Sequence, residues 1–103
     1  MLTTGCPEVL KALSDETRWR IVHILLEEET ANVTDLAVRL KVLQPTMSKH
    51  LRILRDAGVV VSEKEGTTVW CRVTPEFRQK LRNGKQILDL GCCTFRFDEP
   101  LKS

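Results

Sequence analysis

The hydrophobic period of this chain changes at Gly58, and that change limits the folds the chain can adopt. Before it, residues 33–40 and 44–56 place apolar side chains at helical spacing, and three residues separate the two segments. After it, residues 59–73 contain two alternating stretches rich in β-branched side chains, joined by a tight turn at Glu65-Gly66. The pattern predicts two short helices followed directly by a β-hairpin.

Three other segments have helical character. Pro7 opens a first helix over 8–13, and Ser14 is the predicted N-cap of a second helix. Thr74 begins a last helix after the hairpin. The chain has 103 residues, enough to bury one modest core but too few for two. We therefore expect a single domain over 1–103, mainly α with a β-hairpin wing, in the order α-α-α-α-β-β-α.

A basic stretch runs through the two central helices. Residues 36–55 carry five basic side chains and no acidic one, although the net charge of the whole chain is only +2. The five are Arg39, Lys41, Lys49, Arg52 and Arg55. In the second of these helices Met47, Leu51 and Leu54 repeat at helical spacing, so the polar residues between them point away from the core. Such a basic face on an otherwise balanced chain is typical of a surface that binds a polyanion.

Two short helices followed at once by a hairpin form a winged helix-turn-helix. The second helix of this motif lies in the major groove of duplex DNA, with its N-terminal residues nearest the base edges. Gln44 suits an adenine edge, the hydroxyl side chains suit bases or phosphates, and the basic side chains suit phosphates. The predicted DNA contacts are Gln44, Thr46, Ser48, Lys49, Arg52 and Arg55 on the helix, and Lys64, Thr67 and Thr68 on the wing. The alternative is a winged-helix module that binds protein and whose basic face is only solvated.

Several segments of the chain resemble the ArsR/SmtB family of bacterial transcriptional repressors. They are Leu-Ser-Asp-Glu-Thr-Arg at 13–18, Val-Thr-Asp-Leu-Ala at 33–37, Gln-Pro-Thr-Met-Ser-Lys-His-Leu at 44–51 and Leu-Arg-Asp-Ala-Gly-Val at 54–59. The resemblance covers about residues 8–75. Its most specific part is the segment that begins at Gln44.

The resemblance implies a homodimer that binds an imperfect inverted repeat of duplex DNA and represses transcription. The dimerisation elements would be the first and last helices, here 6–13 and 75–90, with a C-terminal tail over 91–103. His50 matches a histidine of the family's reading helix, so the resemblance implies that it contacts the DNA backbone. Leu43 departs from the family pattern, which has Ser or Thr there, so the expected N-cap of the reading helix is missing. The start of this helix is then expected to be shifted or capped by another group.

Members of this family typically leave DNA when a metal ion, a metalloid or a thiol-reactive species binds. Residues 32–34 lack the Cys-Val-Cys of some metal sensors, and no histidine lies in the last helix, where other members bind zinc, nickel or cobalt. Cys92 and Cys93 remain as candidates to bind As(III) or another thiophilic ion, with Cys6 or Cys71 as a third ligand. Sensing of reactive sulfur or an oxidant through cysteine, and no sensory role, are the alternatives. DNA binding itself requires no cofactor.

Other classes of protein are disfavoured. No apolar run approaches the ~20 residues of a membrane span and no secretory signal is visible, so we expect a cytoplasmic protein with reduced thiols and no membrane partner. Paired carboxylates, a nucleophile with a nearby base and a phosphate-binding glycine loop are all missing from the sequence, so we do not expect an enzyme. His23, between Val22 and Ile24, is expected to be partly buried with a satisfied imidazole.

Overall fold

The computed structural model describes residues 6–82, 87–89 and 94–96. Within these ranges four helices precede a β-hairpin, as the sequence predicts, and short elements follow it. The helices are α1 (Cys6–Leu13), α2 (Glu16–Glu28), α3 (Val33–Leu40), α4 (Gln44–Asp56) and α5 (Pro75–Arg78). The strands are β1 (Ala31–Asn32), β2 (Val60–Glu65), β3 (Thr68–Val73), β4 (Leu81–Arg82), β5 (Ile87–Asp89) and β6 (Thr94–Arg96).

The apolar stripes of the first four helices and the inner face of the hairpin share one core. The predicted stripes of α2, α3 and α4 are buried, except that Leu40 of α3 is only partly buried against the core, and α1 adds its own apolar side. Fully buried side chains of this core include Val9, Leu13, Val22, Leu25, Leu36, Met47, Leu54, Val59 and Phe77. None of the described helices is both long enough and apolar enough to cross a membrane.

The N-cap of α2 is Asp15, so the prediction of Ser14 as this cap is wrong. The Asp15 carboxylate accepts a hydrogen bond from the backbone N–H of Arg18 at 3.1 Å. The Ser14 hydroxyl donates instead to the Leu10 carbonyl at 2.6 Å, which satisfies a carbonyl at the end of α1. Asp is as good a cap as Ser and adds a negative charge at the positive end of the helix dipole, which explains the shift by one residue.

The ends of α3 and α4 are formed as the sequence predicts. The Asn32 side chain caps α3 by accepting a hydrogen bond from the N–H of Asp35 at 2.6 Å. Helix α4 ends in a left-handed Gly58 with φ of 79°. The N–H of Gly58 donates to the Arg55 carbonyl, and the N–H of Val59 donates to the Leu54 carbonyl, both at 2.9 Å. These two bonds form a Schellman motif, which favours glycine at its left-handed position.

Thr74 joins the end of the wing to the end of α4. Its N–H donates to the Val59 carbonyl at 2.9 Å, and its hydroxyl donates to the Gly58 carbonyl at 2.8 Å. The same hydroxyl oxygen accepts the N–H of Phe77 at 3.2 Å and so caps α5. The orientation of the wing relative to α4 is therefore set by bonds to Thr74.

The wing is a three-stranded antiparallel sheet in the order β1-β3-β2. The hairpin pairs Glu65 with Thr68 across a Gly66-Thr67 turn, one residue later than predicted, and Gly66 has φ of 62°. Strand β1 was not predicted, because two residues carry no detectable period. It pairs Ala31 with Cys71 and joins the wing to the segment that caps α3.

The prediction that the last helix continues through Leu81, with Asn83-Gly84 interrupting or ending it, is wrong. Helix α5 is a single turn, and the chain then continues as β4, which pairs with β5. The N–H of Asp89 donates to the Lys80 carbonyl at 2.7 Å, and Leu88 is fully buried. The intervening Asn83-Gly84 has low helix propensity, so the buried Leu88 and the strand pairing outweigh the Phe77–Leu81 spacing that suggested a helix.

The N-terminus of α4 lacks a side-chain cap from Leu43, as the sequence predicts, and the start of the helix is not shifted. Leu43 is the N-cap residue, its side chain makes no hydrogen bond, and the first turn of α4 contains no acidic residue. Polar N-caps typically stabilise a helix by about 1 kcal/mol relative to apolar ones.

We therefore expect Leu43→Ser to raise the free energy of unfolding by about 1 kcal/mol. The corresponding rise in Tm is roughly 4–8 °C for a domain of this size. Urea and thermal unfolding followed by circular dichroism provide the measurement. Val38→Ser is the matched control, because Val38 is a similarly exposed apolar residue inside α3 that caps nothing. Equal effects of the two substitutions would contradict the capping interpretation.

Candidate nucleic-acid interface

Helix α4 is anchored by one side and exposed on the other. Met47, Leu51 and Leu54 are buried in the core. On α4, the predicted DNA-contact residues other than His50 are exposed: Gln44, Thr46, Ser48, Lys49, Arg52 and Arg55. The hydrogen-bonding and basic face that the sequence predicts is therefore accessible to a ligand outside the fold.

The basic residues of the 36–55 stretch fall into two groups. Arg39 donates two hydrogen bonds to the Glu28 carboxylate, at 2.8 and 2.6 Å, and lies 3.6 Å from Asp35. These hydrogen bonds from Arg39 lower the pKa of Glu28 and keep that carboxylate ionised. No ion pair joins a carboxylate of the described ranges to the other group, which consists of Lys41, Lys49, Arg52 and Arg55. Three of these four unpaired cations lie on α4.

A groove of about 220 Å³ separates α4 from the wing. Gln44, Ser48 and Arg55 line its α4 side, and Thr67 lines it from the hairpin. Val33, Thr34, Leu51 and Val69 complete its walls. The structure thus brings four of the predicted contact residues to one concave surface, although 12 residues of sequence separate Arg55 from Thr67.

The other predicted wing residues lie on the hairpin outside this groove. Lys64 is exposed and Thr68 is half-buried. Arg72 is paired with Glu63 across the two strands, whereas Lys64 forms no ion pair with a carboxylate in the part of the chain that the structure describes. Among the described residues of the wing, Lys64 is therefore the one lysine near the tip, and it has no carboxylate partner there.

His50 lies on the inner flank of α4 rather than on its exposed face. Its side chain is only 17% exposed, and Nδ1 is 3.2 Å from Nη1 of Arg18 and 3.8 Å from the Asp15 carboxylate. Because the Arg18 guanidinium can only donate, Nδ1 accepts this bond and the neutral ring carries its proton on Nε2. The DNA contact of His50 stays a prediction, and it would have to be made through Nε2.

Arg18 connects this histidine to the end of α1. Its Nε donates to the Ala12 carbonyl at 2.7 Å, and Nη2 donates to the Lys11 carbonyl at 3.5 Å. One side chain therefore bonds the C-terminus of α1 and a residue of α4. No sequence pattern indicates this link, because His50 lies 32 positions after Arg18 and neither residue belongs to a periodic pattern that pairs them.

The prediction for His23 is half correct. The imidazole has a hydrogen-bonding partner, since Nε2 lies 3.2 Å from the Glu27 carboxylate one turn later in α2. The side chain is exposed rather than partly buried, because it lies on the solvent side of α2, although its sequence neighbours Val22 and Ile24 are buried and half-buried.

The predicted metal ligands are only partly within the described residues. Cys92 and Cys93 lie outside them, and so does the side chain of Cys6. Cys71 is fully buried, with Sγ 3.5 Å from the Ser62 hydroxyl. Burial raises the pKa of the Cys71 thiol, and the Ser62 hydrogen bond opposes that rise. Cys71 is therefore a poor source of a thiolate ligand.

Across ranges 6–82, 87–89 and 94–96, no three His, Cys, Asp or Glu side chains are grouped so that they could hold a metal ion.

The fold and the exposed face of α4 define a winged helix-turn-helix protein. The sequence profile described as "Bacterial regulatory protein, arsR family" matches residues 15–62, which run from the N-cap of α2 into β2. The chain belongs to the arsR family of bacterial regulatory proteins.

Individual relatives agree with this assignment. The arsenical resistance operon repressor of Escherichia coli is 40% identical over 68 residues, which cover 66% of this chain and 58% of that protein. The reduced form of HlyU from Vibrio cholerae superposes with a TM-score of 0.63 at 35% identity, covering 68% of this chain and 74% of that one. The homodimeric winged helix-turn-helix DNA-binding domain from Mycobacterium bovis superposes with a TM-score of 0.64 at 28% identity, covering 68% of this chain and 64% of that one. The chain thus spans less than two thirds of the length of the E. coli relative.

The burial of Cys71 leads to a prediction about its reactivity. Iodoacetamide reacts with thiolates, so the peptide that contains Cys71 should stay unmodified in the native protein at mildly alkaline pH and become modified in urea. Mass spectrometry of the digested protein gives the extent of modification at each cysteine. Native modification of Cys71 at the rate seen in urea would show that this thiol is accessible and would restore it as a candidate ligand.

Proposed function

We propose that this protein is a transcriptional repressor that binds duplex DNA as a homodimer through α4 and the wing. The observation that carries the proposal is the exposed face of α4, on which Lys49, Arg52 and Arg55 have no carboxylate partner among the described residues. Cations left unpaired on a helix that the core holds rigidly are suited to phosphate binding, which releases counterions from the DNA.

The groove residues divide into reading and positioning roles. Gln44, at the N-terminal end of α4, can pair in bidentate fashion with an adenine edge, and Ser48 one turn later can reach the next base or a phosphate. Arg52 and Arg55 lie farther along the helix, where contacts to phosphates position the protein without selecting sequence. Thr67 holds the adjacent backbone from the wing side.

A dimer places two such helices on one face of DNA. The homodimeric domain from Mycobacterium bovis supports a twofold assembly for this chain as well. In the proposal α1 remains a dimerisation element, and residues 75–90 contribute α5 and the strands β4 and β5 in place of the helix that the sequence predicted. The two α4 helices then need to lie about 34–36 Å apart to enter successive major grooves of an imperfect inverted repeat.

The effector of the repressor in this proposal is a thiophilic metal ion or metalloid such as As(III), bound by Cys92 and Cys93. Soft thiolates prefer such ions, and the E. coli relative is named for arsenical resistance. Because Cys71 is buried, Cys6 is the better candidate for a third sulfur ligand. DNA binding itself would require no cofactor.

Sensing of reactive sulfur or an oxidant through cysteine is the second candidate for the effector. The similarity to HlyU, whose structure was solved in a reduced form, favours a test of this alternative. A thiol sensor of this kind needs an accessible cysteine with a lowered pKa, which Cys71 does not provide.

Salt dependence separates a DNA-binding repressor from a winged-helix module that binds protein. The probe is a duplex that the chain selects from a random-sequence pool. The logarithm of its binding constant should fall linearly with the logarithm of the salt concentration, with a slope of about −0.9 for each phosphate contact. Arg52→Ala should make this slope shallower by about 0.9 per protomer, the value of one phosphate contact, and should weaken binding to all duplexes equally. Arg39→Ala is the matched control, because Arg39 is held by Glu28, and it should leave the slope unchanged.

Gln44→Ala should behave differently from Arg52→Ala. The loss should be confined to one base position of each half-site, where discrimination falls by about 1–3 kcal/mol. Fluorescence anisotropy with single-base variants of the selected duplex measures this. Identical profiles for the two variants would refute the division into reading and positioning residues, and a duplex affinity indifferent to salt would refute the repressor itself.

The cysteine pair is tested by DNA release. Cys92→Ser/Cys93→Ser should bind the selected duplex like the wild type but should no longer dissociate when As(III) is added. Cys6→Ser, assayed in parallel, shows whether a third sulfur is needed. The same assay with Cu(I), Zn(II), Cd(II) and a persulfide identifies the effector. A double variant that still responds to the effector would exclude the pair from the mechanism.

A further inference from the structure

The most exposed large apolar residue among those described is Leu43, at 78%. A single exposed leucine on a protein surface needs no functional explanation. Leu43, however, occupies the N-cap of α4, where Ser, Thr, Asp or Asn would satisfy a free backbone N–H and stabilise the helix. An unfavourable residue at such a position is the kind of local inconsistency that functional sites carry.

The backbone of Leu43 has the extended conformation of an N-cap residue, and its side chain is exposed. Its φ of −62° and ψ of 142° are extended, while its carbonyl accepts the first intrahelical bond from the N–H of Met47 at 2.9 Å. The side chain therefore belongs to the N-terminal end of α4 without packing into the core. It directly precedes Gln44, which lines the groove between α4 and the wing.

The N-terminal end of a reading helix is the part nearest the base edges. The major groove offers one apolar group there, the C5-methyl of thymine, and side chains that read it are apolar. The other groups at the base edges are hydrogen-bond donors and acceptors, which an isobutyl side chain does not satisfy.

We propose that Leu43 contacts the C5-methyl group of a thymine next to the base that Gln44 reads, and so selects thymine at that position of each half-site. The inference rests on the proposed function, because it requires α4 to lie in the major groove. The missing N-cap is then explained, since the polar side chains that would cap the helix offer less apolar surface to the thymine methyl than the isobutyl group of Leu43 does.

The probe for this inference is the duplex of highest affinity that the full chain selects from a random-sequence pool. Each thymine is replaced in turn by deoxyuridine, which removes only the C5-methyl group. At the position that Leu43 contacts, the wild type should lose about three- to four-fold in affinity per half-site, the value of one buried methyl group. Replacement in both half-sites should cost about tenfold or slightly more.

Variants of the protein show which residue is responsible for the difference in affinity between thymine and deoxyuridine duplexes. Leu43→Ser should bind the thymine and deoxyuridine duplexes equally, and Leu43→Ala should do the same without introducing a hydroxyl group. Val38→Ser is the matched control. Val38 is 71% exposed, on α3 rather than at the start of α4, and its substitution should preserve the full difference between thymine and deoxyuridine. Thermal unfolding of each variant confirms that the proteins compared are folded.

The outcomes distinguish the two proposals. Salt-insensitive binding to every duplex refutes the proposed function, and the inference with it. Salt-dependent binding in which no deoxyuridine substitution matters, or in which Leu43→Ser and Leu43→Ala keep the same difference as the wild type, leaves the repressor in place and overturns the role of Leu43. The role of Leu43 is also overturned if Leu43→Ser changes the oligomeric state, measured by sedimentation, but keeps the thymine preference. Leu43 would then pack against another protein surface and not against DNA.

Discussion

The position of the wing relative to α4 depends on a small set of bonds at residues 57–59 and 74. The Schellman motif ends α4 at a left-handed glycine, and the carbonyl of that glycine accepts the Thr74 hydroxyl. Val59 is buried in the core and pairs through its carbonyl with the N–H of Thr74. The start of the hairpin is bonded to the last turn of α4, and its end is bonded to Gly58 and Val59, which directly follow α4. These backbone positions therefore determine the width of the groove between α4 and the wing.

Three arginines outside α4 are paired with carboxylates, whereas the basic side chains of α4 are not. Arg39 binds Glu28, Arg72 binds Glu63, and Arg20 binds Glu16 one turn away. Exposed pairs of this kind contribute little to stability. Their consequence here is spatial, because the basic side chains of α4 are left without such a partner in the described ranges while neighbouring arginines are not.

Arg18 gives α1 and α4 a common polar contact. The Arg18 guanidinium donates to the Lys11 and Ala12 carbonyls at the end of α1, and the same group orients the His50 ring. Hydrogen bonds from a charged donor are stronger than neutral ones. The helix expected to form part of the dimer interface is thereby joined directly to the helix expected to read DNA.

Periodicity and capping chemistry in the sequence by themselves determined the helices α1 to α4, the hairpin, the cap at Asn32, the left-handed Gly58 and the face that α4 turns outward. These features depend on neighbours within a few residues, which is the range over which local propensities act. The tertiary structure alone decided that α5 stops after one turn, that β1 joins the wing, that Arg39 is neutralised and that His50 faces Arg18. Each of those depends on contacts between segments far apart in the chain, whose energies outweigh local preference and leave no period to detect.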